Sequence, residues 1–296
     1  MESIAEIRKR VQRPVRRYND VAGLLVGDRV SIHVTRLFIK LGLSPTVATV
    51  AMLVFGLVGS VLAAFGGGWA VAGFSLAFLY YIFDCVDGEV ARYRGQQKLA
   101  FGFVDFVTHL LVKPAFYIGT GIWAARLTGQ PAMFFFALAA LLATLLQKFL
   151  HDAHVILVSR QILLRGRDER YRYVAELLEG QSEDFMDEDV LLRGDEEPYR
   201  PDGLALLRVA AVNFDLGLLA FLVASIVDMF IGPFHVLGMQ MDLKVLLVVF
   251  YGLVVTYDLV DRFIGYVRAG SFSANSRLMM RRAHHFRCDE DPPERS

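Results

Sequence analysis

Cysteine and net charge are both scarce in this chain. It has two cysteines, Cys85 in an apolar stretch and Cys288 in a polar tail, so we expect no structural disulfide. Lysine plus arginine and aspartate plus glutamate number 31 each, and this balance argues against a nucleic-acid partner. There is no glycine-rich loop of the Rossmann or P-loop kind. The charged N-terminus lacks an early apolar core, so we expect no secretory signal.

Apolar residues are abundant and are grouped in blocks of membrane-spanning length. They make up 55% of the chain, and the mean hydropathy is +0.43, whereas soluble domains average about 45–50% apolar residues. All but one of these blocks reach or exceed the roughly 20 residues that a bilayer core requires. We therefore predict an all-α, polytopic integral membrane protein with six transmembrane helices. The predicted spans are 46–65, 69 to the motif that begins at Asp84, 101–125, 131–158, 204–230 and 243–266.

The N-terminal segment predicts a helix that lies on the membrane surface. Ile4, Ile7 and Val11 recur at helical spacing among arginines, which suits an anionic cytoplasmic surface; a solvated basic arm is the alternative.

We assign no catalytic role to the long polar loop at 159–203. The predicted segments are 1–42 at the cytoplasmic surface, 43–158 with spans one to four and the motif, 159–203 as a cytoplasmic loop, 204–267 with spans five and six, and 268–296 as a cytoplasmic tail.

Lysine and arginine are concentrated on one side of the predicted bundle. The N-terminal arm, the turn at 93–98, the start of the long loop and the C-terminal tail all carry them. The opposite turns at 66–68, 126–130 and 231–242 contain only Arg126. Because basic loops stay in the cytoplasm, both termini and the motif are predicted to be cytoplasmic.

The stretch from Asp84 to His109 has the residue types of a metal site. Asp84 and Asp87 are three residues apart and share a helix face, and Asp105 begins the next apolar run. Three carboxylates on two neighbouring helices form an oxygen-rich pocket suited to Mg²⁺ or Mn²⁺. Gly88 continues this face with no side chain and leaves room for a bulky ligand.

The same stretch resembles the signature of the CDP-alcohol phosphotransferases. That signature reads D-x2-D-G-x2-A-R-x8-G-x3-D-x3-D, and the chain matches its first half from Asp84 to Arg92. Residues 43–49, L-S-P-T-V-A-T, resemble the family's L-T-P-N-x-V-T entry to the first span. Three positions differ from the family pattern: Phe101 stands where the second glycine falls, His109 replaces the fourth aspartate, and Thr46 replaces the asparagine.

The resemblance implies transfer of a substituted phosphate from a CDP-alcohol to an acceptor hydroxyl, with release of CMP. The donor, for example CDP-diacylglycerol, or the acceptor would be a lipid, and the reaction would serve phospholipid synthesis. The implied metal ligands are Asp84, Asp87 and Asp105, and the implied nucleotide-binding residues are Gly88, Ala91, Arg92 and Thr46. Arg92 is assigned either to phosphate or to lipid headgroups. Members of this family are often homodimers, and a bacterial inner membrane is the expected location.

The residues that differ from the family pattern suggest the remaining roles. His109 is the candidate base, acting beside Asp105, because an imidazole can accept a proton at neutral pH. A neutral histidine also removes one negative charge, so we expect one tightly held metal ion and a weak or absent second one. Lys113 is a candidate for the acceptor's phosphate or for an ion pair. Asp258 either lines the acceptor cavity or pairs internally.

Two other functions are compatible with these residues. The first is hydrolysis of a pyrophosphate, with His109 activating water. The second is a non-catalytic membrane protein that keeps the pocket for nucleotide or lipid binding.

Overall fold

The fold is built almost entirely from helices. A computed structural model describes residues 2–14, 22–96, 99–165 and 203–268. Most of the predicted loop at 159–203 and nearly all of the tail at 268–296 lie outside these residues. The described part forms α1 (Ile4–Val11), α2 (Asp28–Leu41), α3 (Pro45–Ala63), α4 (Gly67–Arg94), α5 (Leu99–Thr128), α6 (Ala132–Arg165), α7 (Gly203–Val212), α8 (Phe214–Ile231), strands β1 (Phe234–Val236) and β2 (Met239–Met241), and α9 (Leu243–Arg268).

Five of the described helices are long and apolar enough to cross a membrane. They are α3, α4, the first 19 residues of α6, α8 and α9. The chain is therefore an integral membrane protein of mostly helical structure. The third predicted span corresponds to α5, which has 30 residues but carries Asp105, His109 and Lys113 in its first half and is not one of the five.

Two local features differ from the predicted pattern. The block predicted as one span at 204–230 is interrupted at Asn213, whose side-chain oxygen accepts a hydrogen bond from the amide of Leu216 at 2.8 Å. Asparagine is a favoured N-cap because it satisfies such an amide, so α8 begins there. The predicted turn at 231–242 contains an antiparallel hairpin, in which Leu237 and Gly238 both have positive φ. That is the geometry of a tight two-residue hairpin turn.

Helices α3 and α4 approach each other closely through glycine. A β-carbon added to Gly73 would lie 2.7 Å from the carbonyl oxygen of Gly59 and 2.7 Å from the amide nitrogen of Ala63. Small residues at a helix crossing allow backbones to meet in this way inside a membrane. The contact fixes α4 against α3, and α4 carries the motif.

Helix α1 packs against the protein through its apolar face. Ile7 and Val11 are fully buried and form a small cluster with Ile32 of α2, and Tyr93 at the end of α4 packs on it. The apolar face of α1 that the sequence predicted therefore packs against α2 and the end of α4. Contact of α1 with a membrane surface stays a prediction.

The end of the bundle far from the motif is closed by a buried ion cluster. Lys244 Nζ lies 2.6 Å from Asp228 and 2.7 Å from Asp242, and all three side chains are at most 6% exposed. Trp123, about 21 Å along α5 from His109, donates its indole N–H to Asp242 at 3.0 Å. The cluster joins α5, α8 and α9.

We expect Gly73→Ala to lower the free energy of unfolding by about 1–3 kcal/mol, because the added methyl group overpacks a backbone contact. Thermal unfolding of the purified protein in detergent measures this effect. The matched control is Gly265→Ala in α9, where an added β-carbon meets nothing within 4 Å. Equal unfolding midpoints for the two variants would show that the α3–α4 contact is not tight.

Candidate metal centre

Two carboxylates and one imidazole converge where α4 and α5 meet. Asp84 comes from α4, and Asp105 and His109 lie one turn apart on α5. Nε2 of His109 is 3.1 Å from Oδ1 of Asp84 and 3.5 Å from Oδ1 of Asp105. One ligand atom from each residue falls within 4.8 Å of the others. The side chains are 26–32% exposed, so an ion can reach them from solvent.

One carboxylate oxygen of this group lacks a hydrogen bond. Oδ1 of Asp105 is buried and accepts no hydrogen bond from the described residues. A buried carboxylate oxygen without a donor costs free energy, and a bound cation would offset that cost. Two carboxylates and one imidazole are a suitable ligand set for a divalent ion such as Mn²⁺. The residues present therefore fit a metal ion.

The third predicted metal ligand has a different neighbour. Asp87 is buried, and its Oδ2 accepts a hydrogen bond from Thr49 Oγ1 of α3 at 2.9 Å. Asp84 and Asp105 are thus brought together with His109, and Asp87 lies one turn from Asp84 with a contact to α3. Its role as a metal ligand stays a prediction. Thr49 belongs to the L-S-P-T-V-A-T stretch but was not predicted as a site residue.

The predicted nucleotide-binding residues occupy different environments. Arg92 donates its Nε hydrogen to the carbonyl oxygen of Val11 at 2.8 Å, which ties it to α1. A β-carbon added to Gly88 would lie 3.2 Å from Nη1 of Arg92, so this guanidinium passes over the bare glycine. Ala91 is buried, and Thr46 is exposed at the start of α3. Their contact with nucleotide stays a prediction.

Glu89 is a buried anchor that sequence analysis missed. Its side chain is 1% exposed. Oε1 accepts hydrogen bonds from Gln12 Nε2 at 2.8 Å and from Ser31 Oγ at 2.6 Å, and Oε2 accepts one from Thr35 Oγ1 at 2.6 Å. The carboxylate thereby holds the end of α1 and the middle of α2 against α4. The sequence did contain a signal for this buried residue, because Glu89 is an acidic residue next to apolar residues inside the motif.

Tyr80 is a second residue that the sequence analysis missed. Its hydroxyl lies 2.5 Å from Nδ1 of His109, and the two rings are nearly perpendicular with centroids 5.9 Å apart. The side chain is fully buried. Tyr80 precedes Asp84 by four residues and therefore shares its face of α4. That spacing could have identified Tyr80 as a neighbour of the site from the sequence.

The two acceptor-site candidates are placed differently. Nζ of Lys113 lies 5.3 Å from the ring centroid of Phe214, one turn beyond His109 on α5. Asp258 is buried and accepts hydrogen bonds from Arg208 at 2.6 Å, from Arg262 at 2.5 Å and from Gln147 at 3.0 Å. These hydrogen bonds correspond to internal pairing, which is the second of the two roles considered for Asp258.

No protein-family model matches the chain, and comparison with curated proteins gives no match either. The functional inference therefore depends on the geometry of the centre and on the residues of the motif.

We expect the purified protein to bind one Mn²⁺ ion tightly, because a neutral imidazole leaves the centre one negative charge short of a carboxylate set. His109→Asp restores that charge and should add a second ion. Titration calorimetry or electron paramagnetic resonance of free Mn²⁺ gives both stoichiometries. Two tightly bound ions in the wild type would contradict the expectation.

Glu89→Ala should destabilise the protein by roughly 3 kcal/mol, because it leaves the buried Gln12, Ser31 and Thr35 groups without their acceptor. Arg8 and Lys9 are already exposed, and the release of α1 should unfold the backbone around them so that trypsin can cleave there. Mass spectrometry of limited digests detects cleavage at these positions. Glu89→Gln, which keeps the shape and an acceptor oxygen, is the control and should be cleaved more slowly. Unchanged cleavage in Glu89→Ala would show that the carboxylate does not hold α1.

Proposed function

We propose that this chain is a metal-dependent CDP-alcohol phosphotransferase of phospholipid synthesis. It would transfer a substituted phosphate from a CDP-alcohol such as CDP-diacylglycerol to an acceptor hydroxyl and release CMP. The observation that carries the proposal is the meeting of Asp84, Asp105 and His109, with a buried Asp105 oxygen that accepts no hydrogen bond from the described residues. Asp84 and Asp105 match the motif, and His109 stands at the position of its fourth aspartate.

The donor's chemistry agrees with this set of residues. A diphosphate is highly anionic, and a cation such as Mg²⁺ or Mn²⁺ would neutralise it and favour the departure of CMP. Asp84 and Asp105 are the residues that would hold that ion, with Asp87 beside them on α4. The backbone at Gly88, over which the Arg92 guanidinium passes, is where we place the cytidine and its phosphate.

The acceptor's chemistry requires a base and a cationic contact. Nε2 of His109 faces the carboxylate pair, and it would take the proton of the acceptor hydroxyl when its lone pair is not bound to the cation. Lys113 lies one turn further along α5 and is the group that we assign to an anionic acceptor. Asp258 already accepts hydrogen bonds from two arginines, so we assign it a structural role.

The proposed topology follows from the same placement. Helix α5 would be the sixth spanning helix, because its polar residues face the centre and its length is sufficient. The lysine and arginine distribution places both termini and the centre on the cytoplasmic side of a bacterial inner membrane. Homodimer formation is part of the proposal through the motif resemblance alone.

Release of CMP from purified protein in detergent tests the function. We expect release that needs both a divalent metal and an acceptor alcohol, with a panel of CDP-alcohols and acceptors supplied. Asp84→Ala should lower the rate by at least about 100-fold, because several kcal/mol of charge stabilisation are lost. Asp261→Ala is the matched control, since Asp261 is half exposed and pairs with Arg208.

Other outcomes would redirect the proposal. Release of CMP without an acceptor would identify a hydrolase. Thermal protection by CDP without any release of CMP would identify a binding protein.

A further inference from the structure

One contact decides which nitrogen of His109 faces the carboxylates. The hydroxyl of Tyr80 is 2.5 Å from Nδ1, and Nε2 is 3.1 Å from Asp84 and 3.5 Å from Asp105. A rotation of the ring by 180° would break the Tyr80 contact. The hydroxyl therefore selects the ring orientation.

The same contact has consequences for the proton on the ring. A neutral imidazole carries one N–H, on either nitrogen. With the hydrogen on Nδ1, the phenol oxygen of Tyr80 accepts it, and Nε2 presents a lone pair to the space between Asp84 and Asp105. With the hydrogen on Nε2, that nitrogen donates to Asp84, the Tyr80 hydroxyl donates to Nδ1, and Nε2 can neither bind a cation nor accept a proton. A cation at Nε2 therefore requires the first form.

We propose that Tyr80 is a positioning residue that holds His109 in the Nδ1–H form. Its phenol oxygen accepts the Nδ1 hydrogen and directs the Nε2 lone pair at the cation held by Asp84 and Asp105. The inference rests on the proposed function only in requiring that this centre binds a divalent cation. Metal-binding histidines commonly donate their second ring N–H to an oxygen acceptor, which sets both tautomer and orientation.

The surroundings of Tyr80 make it rigid enough for this role. Its side chain is fully buried on α4, one turn before Asp84. On the α3 side, a β-carbon added to Gly56 would lie 3.1 Å from the Tyr80 ring. The ring is thus packed between α3 and α5, and its hydroxyl reaches His109 without rotating away.

Mn²⁺ alone is the probe, and its binding is followed by electron paramagnetic resonance of the free ion. Tyr80→Phe should weaken Mn²⁺ binding about 10- to 100-fold, as loss of such an outer hydrogen-bond partner does at other metal sites. Tyr117→Phe is the matched control. It removes a buried tyrosine hydroxyl that lies 3.0 Å from Thr144 Oγ1, so Mn²⁺ affinity should be unchanged.

A second measurement reads the tautomer in the wild-type protein and needs a variant only to assign the signal. Nitrogen NMR of histidine-labelled protein saturated with Mg²⁺ should show an unprotonated Nε2 for His109. That residue is identified among the seven histidines by the signal that disappears in His109→Ala.

Three results would overturn the inference: equal Mn²⁺ affinity of Tyr80→Phe and wild type, a protonated Nε2 in the Mg²⁺-saturated protein, or no Mn²⁺ binding by the wild type. Failure of the proposed function has a different signature. A wild-type protein that binds Mn²⁺ through the Tyr80-held histidine but releases no CMP would remove the transferase and leave the role of Tyr80 standing.

Discussion

The acidic side chains in the last turns of α4 determine how the surrounding helices are placed. Within six residues, Asp84 reaches His109 on α5, Asp87 accepts a hydrogen bond from Thr49 on α3, and Glu89 holds α1 and α2. A carboxylate buried near a membrane has to find donors or a counter-charge within the protein. Each of these three finds its partner on a different element, so the motif is also the junction of the fold.

Burial of charge has two outcomes in this molecule. In the cluster around Lys244 at the far end of the bundle, every carboxylate oxygen has a partner. Asp228 and Asp242 each contact the lysine through one oxygen and accept a backbone N–H with the other. Asp258 is likewise surrounded by donors. Asp105 keeps a buried oxygen with no hydrogen-bond donor from the described residues. The first two are structural, and the last leaves an oxygen that a cation can contact.

The histidine in the motif gives the centre a requirement that a carboxylate would not have. Both oxygens of a carboxylate can bind a cation, whereas a neutral imidazole has one lone pair, on one of two nitrogens. An imidazole ligand or base therefore needs a neighbour that fixes its tautomer. Tyr80 is positioned for that task, and its place on the same face of α4 as Asp84 links the two. His109 thus has a suitable hydrogen-bond partner within the fold.

The helical membrane class and the location of the centre could be determined from the sequence by itself. Apolar blocks of spanning length are a local property, and so is the spacing that gathers carboxylates on one face of a helix. The break at Asn213 was readable as an N-cap, but the surrounding apolar run concealed it.

Only the tertiary structure decided which polar residues meet. Gln12 and Glu89 are 77 positions apart in the chain, and Thr49 and Asp87 are 38 apart. No periodicity in the sequence connects such pairs. The packing of α1 on the protein and the internal pairing of Asp258 have the same origin. Helix packing sets these contacts, because it brings side chains from distant parts of the chain to one depth and one face.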